Sequence, residues 1–172
     1  MSPLDTDGLR AGFLAYTRQA YALLPAMKRP RILDIGCGTG AATIELLRLG
    51  GGRVVAIDPD ASALAGMRQR MEAEGLLDLV EMVNVSLFDV GFPEASFDVL
   101  WEEGVLHLID RCRSLPACHR LLKPGGFLVM HETVAWFEEA RDMLRTVGFR
   151  VFDQVLLPRH AWWTDYYRPL EA

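Results

Sequence analysis

Apolar residues recur along this chain in two alternating rhythms. Between 7 and 27, Phe13, Tyr16, Ala20, Leu23 and Leu24 fall at helical spacing. Asp7 stands where an N-cap belongs, and Pro25 lies near the end. Short β-rich runs follow at 31–35 and 53–57. The helical stretch between them, 41–49, stops at Gly50, Gly51 and Gly52. Asp60 precedes a second helical stretch, 61–74, closed by Gly75. Further strands are predicted at 80–85, 97–101, 127–131 and 150–157, and helices at 111–122 and 136–147. Lys123, Pro124, Gly125 and Gly126 read as a turn. Strands alternating with helices of this length imply crossover units. The predicted class is therefore α/β, a three-layer doubly wound sheet, mostly parallel. No linker or repeat divides the chain, so 1–172 reads as one domain. Its N-terminal helix covers about 7–27 and an aromatic tail about 158–172.

Composition agrees with a packed domain: hydrophobic residues make up 51% of 172 and charged residues 24%. The formal net charge of −5 gives no general attraction to phosphate backbones, so nucleic acid is not expected as a partner. Cys37, Cys112 and Cys118 are an odd number without a C-x-x-C pair, which argues against a secreted disulfide framework. Cys112, Cys118 and His119 lack the spacing of a zinc site, so no metal is expected. No basic flank leads into an apolar stretch at the N-terminus, and no apolar run is long enough to span a bilayer. These features predict a cytoplasmic protein with no membrane partner.

The candidate chemistry lies after the first strand. Gly36, Gly38 and Ala41 satisfy the dinucleotide pattern G-x-G-x-x-G/A, and Asp58 closes the next strand, where an acid would bind ribose hydroxyls. That pattern alone admits an NAD(P)-binding oxidoreductase. Asp34, two residues before Gly36, shifts the balance. A dinucleotide presses its pyrophosphate against this loop, where a carboxylate would repel it. S-adenosylmethionine carries a positive sulfonium and ammonium and no phosphate, and charged hydrogen bonds favour such a pairing.

The run ILDIGCGTG at 32–40 resembles the first motif of class I S-adenosylmethionine-dependent methyltransferases, of the small-molecule, ubiquinone/menaquinone-methyltransferase-like type. Four more stretches are similar in order and spacing: AIDP at 56–59, FPEASFD at 92–98, GVLHLI at 104–109 and RLLKPGG at 120–126. The resemblance covers about 10–157 and implies a Rossmann-like fold and S-adenosylmethionine as cofactor, with S-adenosylhomocysteine as product. It places Gly36, Cys37, Gly38 and Gly40 beside the cofactor and Asp34 on its methionine side. It gives Asp58 the ribose hydroxyls and lays Pro59 against the adenine. Many relatives have an acid where this chain has Ser86, so the bond from the adenine amino group falls to an uncharged hydroxyl. The amide of Leu87 would serve the ring. Glu102, Glu103 and Gly104 would lie near the methionine part and the departing methyl.

Several residues keep two readings. Glu102 and Glu103 are either a solvated pair or part of the site. His107, like Glu103, is a candidate catalytic group, a base, or simply a packed or solvated side chain. Cys37 reads as a small packed residue rather than a reactive thiol. Trp162, Trp163, Tyr166 and Tyr167 line a pocket or dock the tail by aromatic burial. WEEG at 101–104 and WTDYYRPLE at 163–171 together resemble a microbial branch whose chain runs on to a final antiparallel strand. This sequence stops at Ala172, which leaves that seventh strand in doubt and predicts a homodimer covering an exposed sheet edge. The expected function is methyl transfer to an unidentified small-molecule acceptor. The alternatives are a non-catalytic S-adenosylmethionine-binding or partner subunit and, less favoured, an oxidoreductase.

Overall fold

A computed structural model describes residues 12–50, 52–158 and 161. Helix α1 (Leu14–Ala22) precedes strand β1 (Arg31–Ile35), α2 (Ala41–Gly50), β2 (Arg53–Ile57), α3 (Ala61–Ala73) and β3 (Val80–Val83). Then come β4 (Phe97–Glu103), α4 (Arg111–Leu121), β5 (Leu122–His131) and α5 (Val134–Val147). Single 3₁₀ turns stand at Leu77–Leu79 and Leu106–Leu108. The strands form one parallel sheet in the order β3-β2-β1-β4-β5.

The central strand β1 and its neighbour β2 are buried on both faces, which is why they read as near-continuous apolar runs. Alternate residues feed two cores. Leu33, Ile35, Val55, Ile57 and Leu100 join Leu115 of α4 and Trp136, Ala140 and Leu144 of α5. Ile32, Val54, Ala56, Val99 and Trp101 join Ile44 of α2 and Met67 of α3 on the opposite face. Strand order reverses between β1 and its neighbours β2 and β4, so the carboxyl ends of these strands frame the crevice where doubly wound sheets bind ligands.

Asp60 caps α3 through the amides of Ser62 and Ala63, as its sequence position indicates. Other boundaries differ from expectation. Helix α1 ends at Ala22 rather than near 27, because Pro25 disfavours helical backbone at the residue before it. The predicted cap Asp7 and the aromatic cluster Trp162 to Tyr167 lie outside the described residues. The turn at Lys123 to Gly126 is absorbed into β5 as an irregularity: Phe97 pairs with Leu122 and Val99 with Phe127.

The predicted sixth strand at 150–157 is a correction. Residues 150–158 adopt no strand; Val151, Phe152 and Leu156 are exposed, and the Phe152 ring meets Phe127 edge-on. An apolar run reports a preference for extended backbone, but a strand also needs a neighbouring ladder, and none forms here. Among the described residues the sheet thus has five strands, and no helix is long and apolar enough to cross a membrane.

Candidate functional site

Beyond Ile35 the chain turns through three glycines in left-handed backbone, Gly36 (φ 68°), Gly38 (φ 55°) and Gly40 (φ 86°). Two of them are demanded by the protein's own packing. A Cβ on Gly36 would come within 2.4 Å of Val105 Cγ2, and one on Gly40 within 2.6 Å of Met67 Cγ. At Gly38, among the described residues, nothing beyond its chain neighbours lies within 4 Å of such a Cβ. The bare backbone of Gly38 is therefore left open by the described residues, and a ligand can approach it closely there. The loop is tied back to β2, since the amides of Gly36 and Cys37 both donate to the carbonyl of Ile57 (2.8 and 3.1 Å).

Two carboxylates flank this loop. Asp58, at the end of β2, accepts from the amide of Gly38 at 2.8 Å on Oδ2 and from that of Asp60 at 2.8 Å on Oδ1. An ionised carboxylate offers about four acceptor positions, so each oxygen retains capacity for a ligand hydroxyl. Asp34 is 2% exposed and accepts from the Thr43 hydroxyl of α2 at 2.5 Å. Burial, with the charges of Asp34 and Asp58, pushes the Cys37 thiol far above the ordinary thiol range. Cys37 is a packed residue of the loop, not a nucleophile. One cation reaches the loop from α3: Arg70 donates to the carbonyl of Thr39 at 3.3 Å.

A pyrophosphate is poorly served by two carboxylates around one loop, whereas a sulfonium with a ribose and an ammonium is well served. A family model described as a methyltransferase domain matches residues 33–130. The chain belongs to the class I S-adenosylmethionine-dependent methyltransferases. S-adenosylmethionine is the cofactor of that family, and the open face of Gly38 beside Asp58 fits it. An uncharacterised methyltransferase of Mycobacterium tuberculosis is 32% identical over 161 residues, covering 86% of this chain and 63% of its own length. The chain spans 25%, 48% and 63% of the length of three curated relatives it matches. Among solved structures, an S-adenosylmethionine-dependent methyltransferase from Aquifex aeolicus has a TM-score of 0.72 at 19% identity, over 90% of this chain and 94% of that one. The cyclase SpnF also has a TM-score of 0.72, at 23% identity, over 81% and 58%. At these identities the likeness is one of fold.

The methyltransferase frame orders the remaining candidates. Pro59 is exposed directly after Asp58. Ser86 stands in the turn after β3, where its hydroxyl accepts from the amide of Phe88 at 3.2 Å. Leu87 beside it is buried. Glu102 and Glu103, adjacent in sequence, part to opposite faces of β4. Glu102 is fully buried on the α4 and α5 side. Its Oε2 accepts from the amides of Val105 and Leu106 (2.9 and 3.2 Å) and its Oε1 from that of His131 (3.0 Å). Burial and the nearby charge of Glu132 push its carboxyl up to about 8, outweighing the three amides. Glu102 thus staples the loop after β4 to the end of β5 and does not share a site with Glu103. Glu103 faces α1, where its Oε1 accepts from the Thr17 hydroxyl (2.7 Å) and the Trp101 indole (3.0 Å). His107 is half exposed in the 3₁₀ turn and bonded to Glu132.

Four residues escaped the sequence reading. Thr17, Thr43 and Arg70 sit on helices that show only an apolar stripe, and Glu132 follows β5 with no motif around it. For Thr17 the available signal was a polar residue within the stripe of Phe13, Tyr16 and Ala20. No group of three or more metal-ligating side chains gathers among the described residues.

Proposed function

We propose that this chain binds S-adenosylmethionine across the carboxyl ends of β1 and β2 and passes its methyl group, by in-line displacement, to a small-molecule acceptor. The observation that carries the reading is the open backbone of Gly38 next to Asp58, whose carboxylate is already oriented by two amides. S-adenosylmethionine supplies an electrophilic methyl group on a sulfonium that leaves as a neutral sulfide. Asp58 would accept the ribose hydroxyls, with Pro59, Ser86 and Leu87 around the adenine. Gly36, Cys37, Gly38 and Gly40 would form the wall beside the methionine part. Asp34 supports that wall from beneath through Thr43, and Glu103 holds negative charge on the same face. Those carboxylates favour the cationic methyl donor over its neutral product. The remaining catalytic task is positioning, which supplies about 7 kcal/mol or more in well-oriented reactions.

A calorimetric titration tests the cofactor. Micromolar binding of NAD or NADP with none of S-adenosylmethionine would overturn the reading. Asp58→Ala is expected to weaken S-adenosylmethionine by about 1.5–3 kcal/mol, the worth of hydrogen bonds to a charged group. A broad acceptor screen that detects S-adenosylhomocysteine tests transfer itself. Binding without product across the screen would select the second reading, a non-catalytic S-adenosylmethionine-binding subunit. We also propose a homodimer. β5 pairs with β4 on one side and with no other strand among the described residues, an edge that a second copy would cover. A monomer at all concentrations in sedimentation analysis would count against it.

A further inference from the structure

His107 and Glu132 are 25 residues apart and meet at the carboxyl edge of the sheet. The Glu132 side chain is 1% exposed, and a buried carboxylate needs partners. Its Oε1 accepts from the His107 amide at 2.9 Å, and the His107 ring nitrogen Nδ1 lies 3.0 Å from Oε2 and 3.3 Å from Oε1. Glu102, neutral over most of the physiological range, adds little second charge beside it.

The hydrogen bond to a carboxylate assigns the imidazole proton to Nδ1, which leaves Nε2 as an acceptor. The ring is 44% exposed, so that lone pair is reachable by a ligand. The turn that carries it is joined to the cofactor loop: Val105, two residues earlier, fills the space against Gly36. A solvent-reachable base with its other nitrogen on a buried carboxylate, next to the loop that holds a methyl donor, is the arrangement of a proton acceptor.

We propose that His107, oriented by Glu132, accepts the proton of the methyl acceptor, and that this acceptor is a small molecule whose attacking atom is protonated at neutral pH, a hydroxyl or an ammonium. This rests on the methyltransferase reading above. The bond between the attacking atom and hydrogen breaks. Its electron pair stays on that atom, which bonds to the methyl carbon, while the carbon–sulfur pair stays on sulfur. The proton goes to Nε2. The positive charge lost by the sulfonium reappears on the imidazolium, where Glu132 balances it.

The full chain with labelled histidine provides the first test. Long-range proton–nitrogen spectra at about pH 8, above the ordinary histidine range, are expected to show His107 as the Nδ1–H tautomer. An Nε2–H tautomer would overturn the proposal. The second test follows methylation of phenol, 4-nitrophenol and benzylamine by the wild type and by His107→Ala. With phenol or benzylamine the variant should lose about 100-fold or more, the low end of general-base contributions. With 4-nitrophenol, much of which is already ionised, the loss should be far smaller. An equal loss across the series, or none, would refute a role in proton transfer. If no probe turns over, the tautomer decides. S-adenosylmethionine affinity, measured in parallel, should match the wild type. A chain that fails to bind it at all defeats the methyltransferase reading, whereas binding with a uniform loss defeats only the dyad.

Discussion

Gly38 and Gly40 are two residues apart, both in left-handed backbone, and alanine at each should fail in a different way. An L side chain in that region costs about 1–2 kcal/mol. At Gly38 there is no further steric term, because among the described residues no atom beyond its chain neighbours lies within 4 Å of the new methyl. Gly38→Ala should thus lower stability by about 1–2 kcal/mol, or about 2–8 °C for a chain of this size. At Gly40 the methyl would sit 2.6 Å from Cγ of the fully buried Met67. Overpacking adds about 1–3 kcal/mol, so Gly40→Ala should lose about 2–5 kcal/mol. Binding is expected to show the reverse severity for its cost in stability. The alanine methyl at Gly38 projects into the space assigned to the cofactor and should weaken S-adenosylmethionine by at least about 1.4 kcal/mol, a tenfold change. Thermal melts and calorimetry on the two variants measure both quantities. If Gly38→Ala melts as low as Gly40→Ala, or binds S-adenosylmethionine as the wild type does, the open face of Gly38 is not the cofactor face.

Glu102 makes a pH prediction. Its folded value of about 8 lies above the ordinary carboxylate range, so between about pH 4.5 and 8 the folded state holds a proton that the unfolded state has released. Its contribution therefore falls as pH rises through that window, by at most about 1.4 kcal/mol per pH unit. Glu102→Gln should flatten the pH dependence of denaturant midpoints there, and an unchanged slope would contradict the assignment. Thr17→Val removes the hydroxyl that joins α1 to Glu103 and should cost about 1 kcal/mol, with faster amide exchange in α1. Exchange at the wild-type rate would show that the contact does not hold the helix.

The buried centre of the fold was legible because strands covered on both faces leave a simple trace. β1 and β2 carry near-continuous apolar runs, and Asp60 marks a helix start by its capping side chain. The glycine loop and Asp58 were legible for the same reason, since local backbone demands are written in consecutive residues. The segment 150–157 was misread because pairing depends on a partner that the segment does not encode. The site's longer links were invisible. Thr17 meets Glu103 across 86 positions and His107 meets Glu132 across 25, so no local pattern connects them. Glu102 and Glu103 looked like one feature because sequence adjacency hides the two-residue period of a strand.

That period gives the end of β4 a second consequence. Trp101 lies opposite Asp34 of β1, and Glu102 lies opposite Ile35. Sliding β4 by one residue would send the indole to the other layer, strip Glu102 of its three amide donors and turn the Glu103 carboxylate away from Thr17. Every side chain at the strand end would be wrong at once. The contacts of the Trp-Glu-Glu run therefore tie these side chains to a single strand register. A mispaired sheet meets its penalty at the carboxyl end of β4, so completing the sheet in register also fixes the side chains there in a single arrangement.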